Sequence, residues 1–319
     1  MLKSNRRKFL KQGSIVGVAG LAPLYFSSPL ASPAADRKFQ MCLNPSAIGV
    51  NINQKELLEL AEKYRFEAMV AMPQELANMD DQELSGFLKK MKEKNISWGS
   101  AGLPVEFRKD EKSFRDQLSQ LPKLAHGLQK AGVSRVGTWI MPTNAELTYL
   151  ANFRQHTIRL REIAKVLGHY GLRLGLEYVG PKTLMARDKY SFIHSMSEAK
   201  ELIFEIGESN VGLVLDSFHW FCAGETAADI LTLTKDDIVT CDLNDARTGF
   251  TKDEQVDNKR ELPMATGVIN LKAFLNALIS IGYDGPVRAE PFNKKLNDMD
   301  NEPAVKATYK AMKATFDLV

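Results

Sequence analysis

Short apolar runs alternate with longer amphipathic segments eight times between residue 38 and the C-terminus. A short apolar run bounded by polar residues is typical of a strand buried on both faces, whereas apolar residues three and four positions apart indicate a helix. The predicted strands cover residues 39–43, 67–72, 96–101, 135–140, 172–179, 211–215, 238–243 and 287–290. The predicted helices cover residues 54–64, 80–94, 111–131, 147–170, 195–206, 227–233, 271–281 and 304–316. Eight such pairs, with no break in composition, predict one α/β domain folded as a closed (β/α)8 barrel.

A doubly wound open sheet is the alternative architecture for the same alternation. Its usual dinucleotide site needs a Gly-x-Gly-x-x-Gly motif after the first strand, and the sequence has no such motif there. Two connections, residues 180–194 and 244–268, are longer than a barrel requires, and both follow predicted strands. In (β/α)8 barrels these βα loops build the active site at the C-terminal face, so we expect the functional site there.

Four of the predicted strands carry an acidic residue at or near their C-terminal end: Glu177, Asp216, Asp242 and Glu290. Any one of these carboxylates, taken alone, can equally be a solvated residue or the partner of a neighbouring lysine or arginine. Four of them at one barrel mouth would repel one another unless a cation joined them, and a divalent metal is the usual solution. The pattern therefore predicts a metal site at these four positions.

Residues 1–35 have the features of a targeting segment, which leaves residues 36–319 for the barrel domain. The sequence Asn-Arg-Arg-Lys-Phe-Leu-Lys at residues 5–11 resembles the twin-arginine export motif. It precedes a moderately apolar stretch of about 13 residues, 14–26, and then small residues at 31, 32, 34 and 35. A membrane span needs roughly 20 apolar residues. We therefore expect a signal peptide read by the twin-arginine export machinery and a periplasmic mature protein, with an uncleaved anchor as the alternative.

Composition and charge exclude several classes of protein. The chain has 319 residues, of which 44% are apolar and 25% charged, as in ordinary globular proteins. The formal charge of +3 includes five basic residues near the N-terminus, so the mature protein should be near neutral or slightly acidic, which argues against a nucleic-acid or acidic-lipid partner. Cys42, Cys222 and Cys241 have no paired spacing, and we expect small core residues rather than a disulfide framework or a CxxC metal site.

Several motifs resemble those of the xylose isomerase-like TIM barrel superfamily, a group usually described as sugar phosphate isomerases and epimerases. They are Gly175-Leu-Glu-Tyr178, Leu215-Asp-Ser-Phe-His219, Arg260-Glu-Leu-Pro263 with Gly267-Val-Ile269, and Gly282-Tyr-Asp-Gly-Pro286 leading into Glu290-Pro-Phe292. The resemblance extends over nearly the whole predicted barrel. It implies this fold, a metal-dependent enzyme and a small carbohydrate substrate.

In the ketose epimerases of this superfamily, two Glu, one Asp and one His bind a metal ion, and the two Glu also exchange protons with the substrate carbon. The resemblance gives these roles to Glu177, Asp216, Asp242 and Glu290, with Glu177 and Glu290 as the catalytic pair. Asp242 departs from the pattern, because the family commonly has His there. An all-oxygen shell would favour one Mn²⁺ or Mg²⁺ ion, with Co²⁺ or Zn²⁺ as alternatives, or the site would bind metal weakly.

The resemblance also implies substrate contacts. His219 corresponds to a family residue that contacts substrate, and Arg260 to one that holds a substrate oxygen, although His219 can also be a packed core histidine. Lys182 and His194 lie on the long loop after the fifth strand and are further predicted contacts. Lys182 can equally be an ordinary solvated lysine. The other three histidines fall in predicted helices, where structural or exposed roles are expected.

The implied chemistry begins with metal coordination of a ketone and its adjacent hydroxyl, which acidifies the intervening C–H so that a carboxylate can remove the proton. Return of the proton to the other face gives an epimer, and its return to the neighbouring carbon gives an isomer. An exported enzyme rarely meets phosphorylated sugars, so we expect an unphosphorylated sugar or keto-sugar. The prediction is a sugar isomerase or epimerase, and expulsion of a β-substituent makes a 3-keto-glycoside lyase or hydratase the alternative.

Two further functions fit the sequence less well. A non-catalytic sugar-binding barrel needs the shape of the mouth but not two carboxylates flanking one carbon. The endonuclease IV branch of the superfamily uses a histidine-rich three-metal cluster, which a chain with five histidines and no basic surface does not favour. A homo-oligomer is compatible with the sequence.

Overall fold

Eight parallel strands close into a barrel in the computed structural model, which describes residues 37–319. The strands are Gln40–Leu43 (β1), Ala68–Ala71 (β2), Ser97–Gly102 (β3), Arg135–Trp139 (β4), Thr143–Asn144 (β5), Arg173–Glu177 (β6), Tyr190–Ser191 (β7), Val211–Asp216 (β8), Ile238–Leu243 (β9) and Pro286–Ala289 (β10). β5 and β7 form a separate antiparallel pair, and the others follow one another around the barrel in the order β1-β10-β9-β8-β6-β4-β3-β2. The predicted fold class and all eight predicted strands are confirmed.

The α-helices of the described residues surround this barrel. They are Gln54–Lys63 (α1), Pro73–Asn78 (α2), Asp81–Glu93 (α3), Glu111–Ala131 (α4), Tyr149–His169 (α5), Lys182–Met185 (α6), Met196–Ile206 (α7), Ser217–Cys222 (α8), Ala227–Ile230 (α9), Leu271–Ser280 (α10), Lys294–Asn297 (α11) and Asn301–Phe316 (α12). The eight predicted helices are present, although the one predicted at 227–233 ends at Ile230. The short helices α2, α6, α8 and α11 were not predicted, because four to six residues are too few to reveal a helical period.

The predicted signal peptide, residues 1–35, lies outside the described residues. Across residues 37–319, no helix is both long enough and apolar enough to cross a membrane. Cys42, Cys222 and Cys241 are buried and unpaired, as expected for core residues.

The register of the central strands brings the acidic residues to one level. β8 and β9 are buried at every position, and Asp216 at the end of β8 pairs with Asp242 on β9. Asp242 pairs in turn with Arg288 on β10. Because Glu290 follows β10 directly and Glu177 ends β6, the C-terminal ends of four strands contribute to one mouth.

Gly175 keeps β6 close to the centre of the barrel. A Cβ atom at this position would lie 2.9 Å from Cγ2 of Val214 and 3.0 Å from Cβ of Val239. Protein interiors are close-packed and cannot accommodate contacts this short, so a larger side chain would push β6 outward. Glycine here therefore helps to place Glu177, two residues further along the same strand.

Candidate active site

The four predicted acids converge at the C-terminal mouth of the barrel. Glu177, Asp216, Asp242 and Glu290 each place one carboxylate oxygen within 4.8 Å of the oxygens of the other three. Asp216 and Asp242 are fully buried, and Glu177 is 8% exposed. Parallel strands that end at the same face produce this convergence. The structure thus brings together the predicted metal-ligating residues.

Asp216 is held in place by four donors. Its Oδ1 accepts from the backbone N–H groups of Phe218, at 2.6 Å, and His219, at 3.2 Å. These donors belong to the first turn of α8, so the carboxylate also caps that helix. Its Oδ2 accepts from Asn244 Nδ2 at 2.7 Å and Arg260 Nη1 at 3.0 Å. Burial raises the pKa of Asp216 to about 6, against the opposing effect of Arg260.

Asp242 forms a two-pronged ion pair with Arg288 inside the barrel. Arg288 donates from Nε to Oδ1 of Asp242 at 2.7 Å and from Nη2 to Oδ2, and its Nη1 donates to Ser100 Oγ at 2.9 Å. The arginine side chain is 11% exposed and that of Asp242 is fully buried. Although burial opposes the shift, Asp242 raises the pKa of Arg288. Both oxygens of Asp242 are therefore engaged by a fixed internal cation.

Arg260 joins Asp216 and Glu290 to Asp257. Its Nε donates to the backbone oxygen of Asp257 at 2.8 Å, its Nη2 to Asp257 Oδ1 at 2.6 Å and to His219 Nε2 at 3.1 Å, and its Nη1 to Asp216 Oδ2 at 3.0 Å and Glu290 Oε2 at 3.3 Å. The side chain is 1% exposed. Every N–H group of this guanidinium already has a protein acceptor. Arg260 thus balances part of the negative charge at the mouth.

His219 is a neutral residue beside the acids. Because a guanidinium only donates, Nε2 of His219 must accept from Arg260. The same Nε2 lies 3.7 Å from Glu177 Oε1. Burial lowers the pKa of His219 to about 3, and the Arg260 charge adds to this shift. His219 therefore orients its neighbours and does not supply a proton near neutral pH.

Glu177 and Glu290 are the two acids with the strongest tendency to hold a proton. Burial raises the pKa of Glu177 well above its ordinary value, and the charge of Glu290 adds to the shift. Burial likewise raises the pKa of Glu290 to about 8, with a further contribution from Asp242. Carboxyl groups tuned in this way can exchange protons near neutral pH.

The donor set fits a divalent cation in most respects. Within residues 37–319, no hydrogen-bond donor reaches the buried Oε1 of Glu177. A buried oxygen without a partner costs free energy that a bound cation would recover. Glu177, Asp216 and Glu290 are the residues that would hold the ion. Asp242 would reach it only by sharing its oxygens with Arg288.

Two cavities open on either side of the Glu177 and Glu290 carboxyl groups. One has a volume of about 550 Å³ and the other about 570 Å³, and Trp139 lines both together with the two glutamates. His219 and Arg260 line the first cavity, and Arg288 lines the second. The acids are therefore accessible to a small molecule bound at the mouth.

We expect the metal-free protein to lose stability as the pH rises from about 4.5 through about 8. The pKa of Glu290 rises from 4.5 to about 8 on burial, so the folded state binds this proton more tightly than the unfolded state does. The stability that such a group contributes is fully present below its unfolded pKa. That stability is lost as the pH rises through the folded pKa. The melting temperature should fall across this window, and it should fall less in Glu290→Gln. Equal slopes in the two proteins would contradict this assignment.

The sequence matches the protein-family model described as the xylose isomerase-like TIM barrel over residues 58–315. The chain belongs to this family.

Individual members of the family are similar over nearly the whole barrel. The inosose isomerase of Bacillus velezensis is 24% identical over 283 residues, which cover 86% of this chain and 96% of the relative. A xylose isomerase domain protein from Alicyclobacillus acidocaldarius subsp. acidocaldarius superimposes with a TM-score of 0.77 at 28% identity, covering 88% of this chain and 99% of that one. The IolI protein, crystallised with a zinc atom, superimposes with a TM-score of 0.72 at 23% identity over 88% and 98% of the two chains. These comparisons support the predicted isomerase or epimerase class.

Two of the predicted substrate contacts, both on the long loop after the fifth predicted strand, lie away from the acids. Lys182 is exposed and pairs with Asp253 at 2.6 Å. His194 contacts Phe192 and Glu198 through Nδ1 at the start of α7. Neither side chain lines the two cavities beside the carboxylates, because the loop after β6 folds back and presents other residues to the mouth. His219 and Arg260 do line the mouth, and their contact with substrate stays a prediction.

Sequence reasoning missed several residues that complete this family member's site. Arg288 could have been found, because it lies two positions before Glu290 on a strand and so points to the same face. Asn244 and Asp257 carry no such signal, since they lie on the long loop after β9. Trp139 ends β4 and is 38% exposed, and an aromatic residue at the end of a buried strand was a sign of a binding surface.

Proposed function

We propose that this protein is a sugar isomerase or epimerase that moves a carbon-bound proton of an unphosphorylated sugar or keto-sugar. The observation that carries the proposal is the placement of two proton-holding carboxyls, Glu177 and Glu290, where the two cavities meet. Both lie beside Asp216, and Glu290 also contacts the buried Arg260 charge. A site for sugar binding alone has no need of this pair.

The residues of the mouth have distinct roles in this proposal. One of Glu177 and Glu290 removes the proton next to the substrate carbonyl, and the other returns a proton to the resulting carbanion-like centre. Arg260 fixes the orientation of Asp216 and Glu290 and provides positive charge near the developing oxyanion. A divalent cation, when bound, would polarise the carbonyl and acidify the adjacent C–H.

We further propose that this cation is held mainly by Glu177, Asp216 and Glu290. Oxygen ligands favour Mn²⁺ or Mg²⁺. The similar IolI protein was crystallised with a zinc atom, which supports a divalent ion in a barrel of this fold. Because Asp242 is paired with Arg288, it is a weaker fourth metal ligand than a histidine would be at this position.

Asp242→His is expected to raise affinity for Zn²⁺ only when Arg288 is removed with it. The single variant leaves the buried Arg288 guanidinium without its carboxylate, and breaking such a pair costs about 3–5 kcal/mol of folding free energy. Asp242→His with Arg288→Ser removes that penalty and supplies a free imidazole ligand. The double variant should bind Zn²⁺ about 10- to 100-fold more tightly than the wild type, the scale of changes at metal-supporting residues.

Isothermal titration of Zn²⁺ and Mn²⁺ into the metal-free proteins would measure these affinities. Arg288→Ser alone is the matched control. An equal increase in Zn²⁺ affinity in Asp242→His and in the double variant would show that Arg288 does not limit metal binding at this site.

The experiment that tests the proposed function is an assay of product identity. The Mn²⁺-loaded protein would be incubated with unphosphorylated ketoses, inososes and 3-keto-glycosides, and the products followed by NMR. An epimer or isomer supports the proposal. Release of an aglycone, or formation of an unsaturated keto-sugar, would replace it with a lyase or hydratase. Saturable binding without turnover would instead favour a sugar-binding protein.

We also propose that the protein is exported through the twin-arginine route and acts in the periplasm. The support is the Arg6-Arg7 pair ahead of a short apolar stretch and small residues. Replacing both arginines with lysine keeps the charge and should block export, whereas Lys3→Arg should not. Intact-mass measurement of the periplasmic fraction should give a protein shortened by about 35 residues at the N-terminus. A full-length protein confined to the cytoplasm would contradict this proposal.

A further inference from the structure

The two cavities at the mouth together offer more room than a monosaccharide needs. Each alone, at about 550 and 570 Å³, falls within the range of about 300–1,000 Å³ typical of sites for drug-sized ligands. They meet at Trp139, Glu177 and Glu290, so a molecule whose reacting carbon lies between the two carboxyls can extend into both. The reacting carbon would then carry substituents on two sides.

The two cavities differ in chemistry. The surface of the first, which we call the apolar cavity, is mostly apolar and includes Met141, Val179, Leu184, Val256 and Phe292, with Arg187, Asp257 and Asn258 as polar residues of its wall. The second, the polar cavity, presents Asn44, Ser46, Asn51, Gln74, Glu75 and Arg288. Hydroxyl-rich groups suit the polar cavity, because its amide, hydroxyl and charged side chains can satisfy them. The apolar cavity offers less polar surface to such hydroxyls and instead suits a group that is largely hydrocarbon or aromatic.

The apolar cavity has walls tied to one another. Lys182 Nζ donates to Asp253 Oδ2 at 2.6 Å, and Thr183 Oγ1 donates to the backbone oxygen of Gln255 at 2.8 Å. These contacts join the loop after β6 to the loop after β9 on the rim of the cavity. Both long loops therefore contribute to the wall of one cavity, and the sequence distance between them shows that the cavity depends on the tertiary fold.

Phe292 forms part of the floor of the apolar cavity. It adopts a positive φ of 40°, an uncommon conformation for an aromatic residue. Its ring lies 4.7 Å from the guanidinium carbon of Arg260, which packs between Phe292 and Phe218. The strained backbone and the cation–π contact hold the ring at the junction between the cavity and the acids.

We propose that the substrate is a glycoside, with its hydroxylated keto-sugar ring in the polar cavity and its apolar aglycone in the apolar cavity. The inference rests on the proposed proton-transfer function and names its substrate class. It requires no additional chemical step, since one proton leaves the carbon beside the carbonyl and one returns.

The test measures binding of three ligands that share one 3-keto-sugar: 3-ketoglucose, methyl 3-ketoglucoside and phenyl 3-ketoglucoside, each of which keeps a carbonyl with an adjacent C–H. Each is titrated into the Mn²⁺-loaded protein and its variants by calorimetry. The wild type should bind the phenyl glycoside about tenfold more tightly than the methyl glycoside, a discrimination typical of an added apolar group in a pocket. Leu184→Ala and, separately, Val256→Ala should reduce this ratio, because both residues line only the apolar cavity.

Two further variants act as matched controls. Gln74→Ala, in the polar cavity, should lower the affinity for all three ligands alike and leave the ratio of phenyl-glycoside to methyl-glycoside affinity unchanged. Phe204→Ala changes an apolar residue on α7 that is 85% exposed, and it should alter nothing. Equal affinity of the wild type for the three ligands would overturn the glycoside inference.

Solvent-hydrogen exchange, measured on the same samples, separates this inference from the proposed function. Exchange into the free keto-sugar, together with no preference for the phenyl glycoside, would overturn the inference and leave the proposed function standing. Tighter binding of the phenyl glycoside than of the methyl glycoside, without any solvent-hydrogen exchange, would support the apolar subsite and overturn the proton-transfer function.

Discussion

Replacement of Glu177 or Glu290 by glutamine is expected to lower kcat/KM about 10²- to 10⁴-fold, the range that general acid–base catalysis supplies. Glutamine keeps the size of the side chain and removes its capacity to carry a proton. The two effects should not add in the double variant, because proton removal and return are parts of one reaction. Turnover of the sugar substrate by the Mn²⁺-loaded variants measures the loss.

A matched control is Glu162→Gln, which changes a partly exposed glutamate on α5 that pairs with Arg115 on the outside of the barrel. It should retain full activity. Bound Mn²⁺ should be measured by electron paramagnetic resonance in each variant, because a glutamine that simply expels the ion would also lower turnover. Variants that keep Mn²⁺ and lose less than tenfold in kcat/KM would contradict the assigned proton-transfer roles.

Arg260→Met is expected to have the second-largest effect, on stability as well as on activity. It removes a fully buried charge that contacts Asp216, Asp257 and Glu290. Loss of one partner from a buried ion pair costs about 3–5 kcal/mol, since the remaining charges stay buried without compensation. Urea unfolding of the metal-free protein should show this loss in the free energy of unfolding.

Added Mn²⁺ should recover part of the stability of Arg260→Met, because the cation offsets the same carboxylates. Arg154→Met removes an exposed arginine from α5 and is the control for the loss of a surface charge. Arg260→Lys keeps the charge but loses the planar guanidinium group that contacts several acceptors. Its free energy of unfolding should therefore lie between those of Arg260→Met and Arg154→Met. An unfolding free energy for Arg260→Met equal to that of Arg154→Met would rule out a balancing role for this guanidinium.

The sequence was sufficient to predict the barrel because each of its elements carries its own periodic pattern. β8 and β9 are largely apolar and are buried at every position. An apolar run of this kind indicates a buried strand even when the neighbouring strands are not known. The acids Glu177, Asp216, Asp242 and Glu290 could be placed for the same reason. Parallel strands fix the level of a residue at a strand end once the fold is known.

The contacts between side chains could not be predicted in this way. The pairing of Asp242 with Arg288 depends on the register between β9 and β10, which no local pattern encodes. The predicted contact of Lys182 with substrate depended on the path of a long loop, and in the structure that side chain pairs with Asp253 instead. Arg260 was predicted from resemblance to hold a substrate oxygen, and that contact stays a prediction. Its observed acceptors Asp216, Asp257 and Glu290 come from separate parts of the sequence, which no local pattern encodes.

The most direct test of proton transfer between Glu177, Glu290 and the substrate is the fate of the carbon-bound hydrogen during turnover by the wild-type protein. The Mn²⁺-loaded enzyme would convert its sugar substrate in D₂O, and NMR would locate deuterium in the product and in recovered substrate. We expect deuterium at the reacting carbon of the product, because a proton held by a carboxyl group at the mouth exchanges with solvent between removal and return. A product that retains its original hydrogen at that position would show direct transfer within the substrate and would contradict the roles assigned to both glutamates.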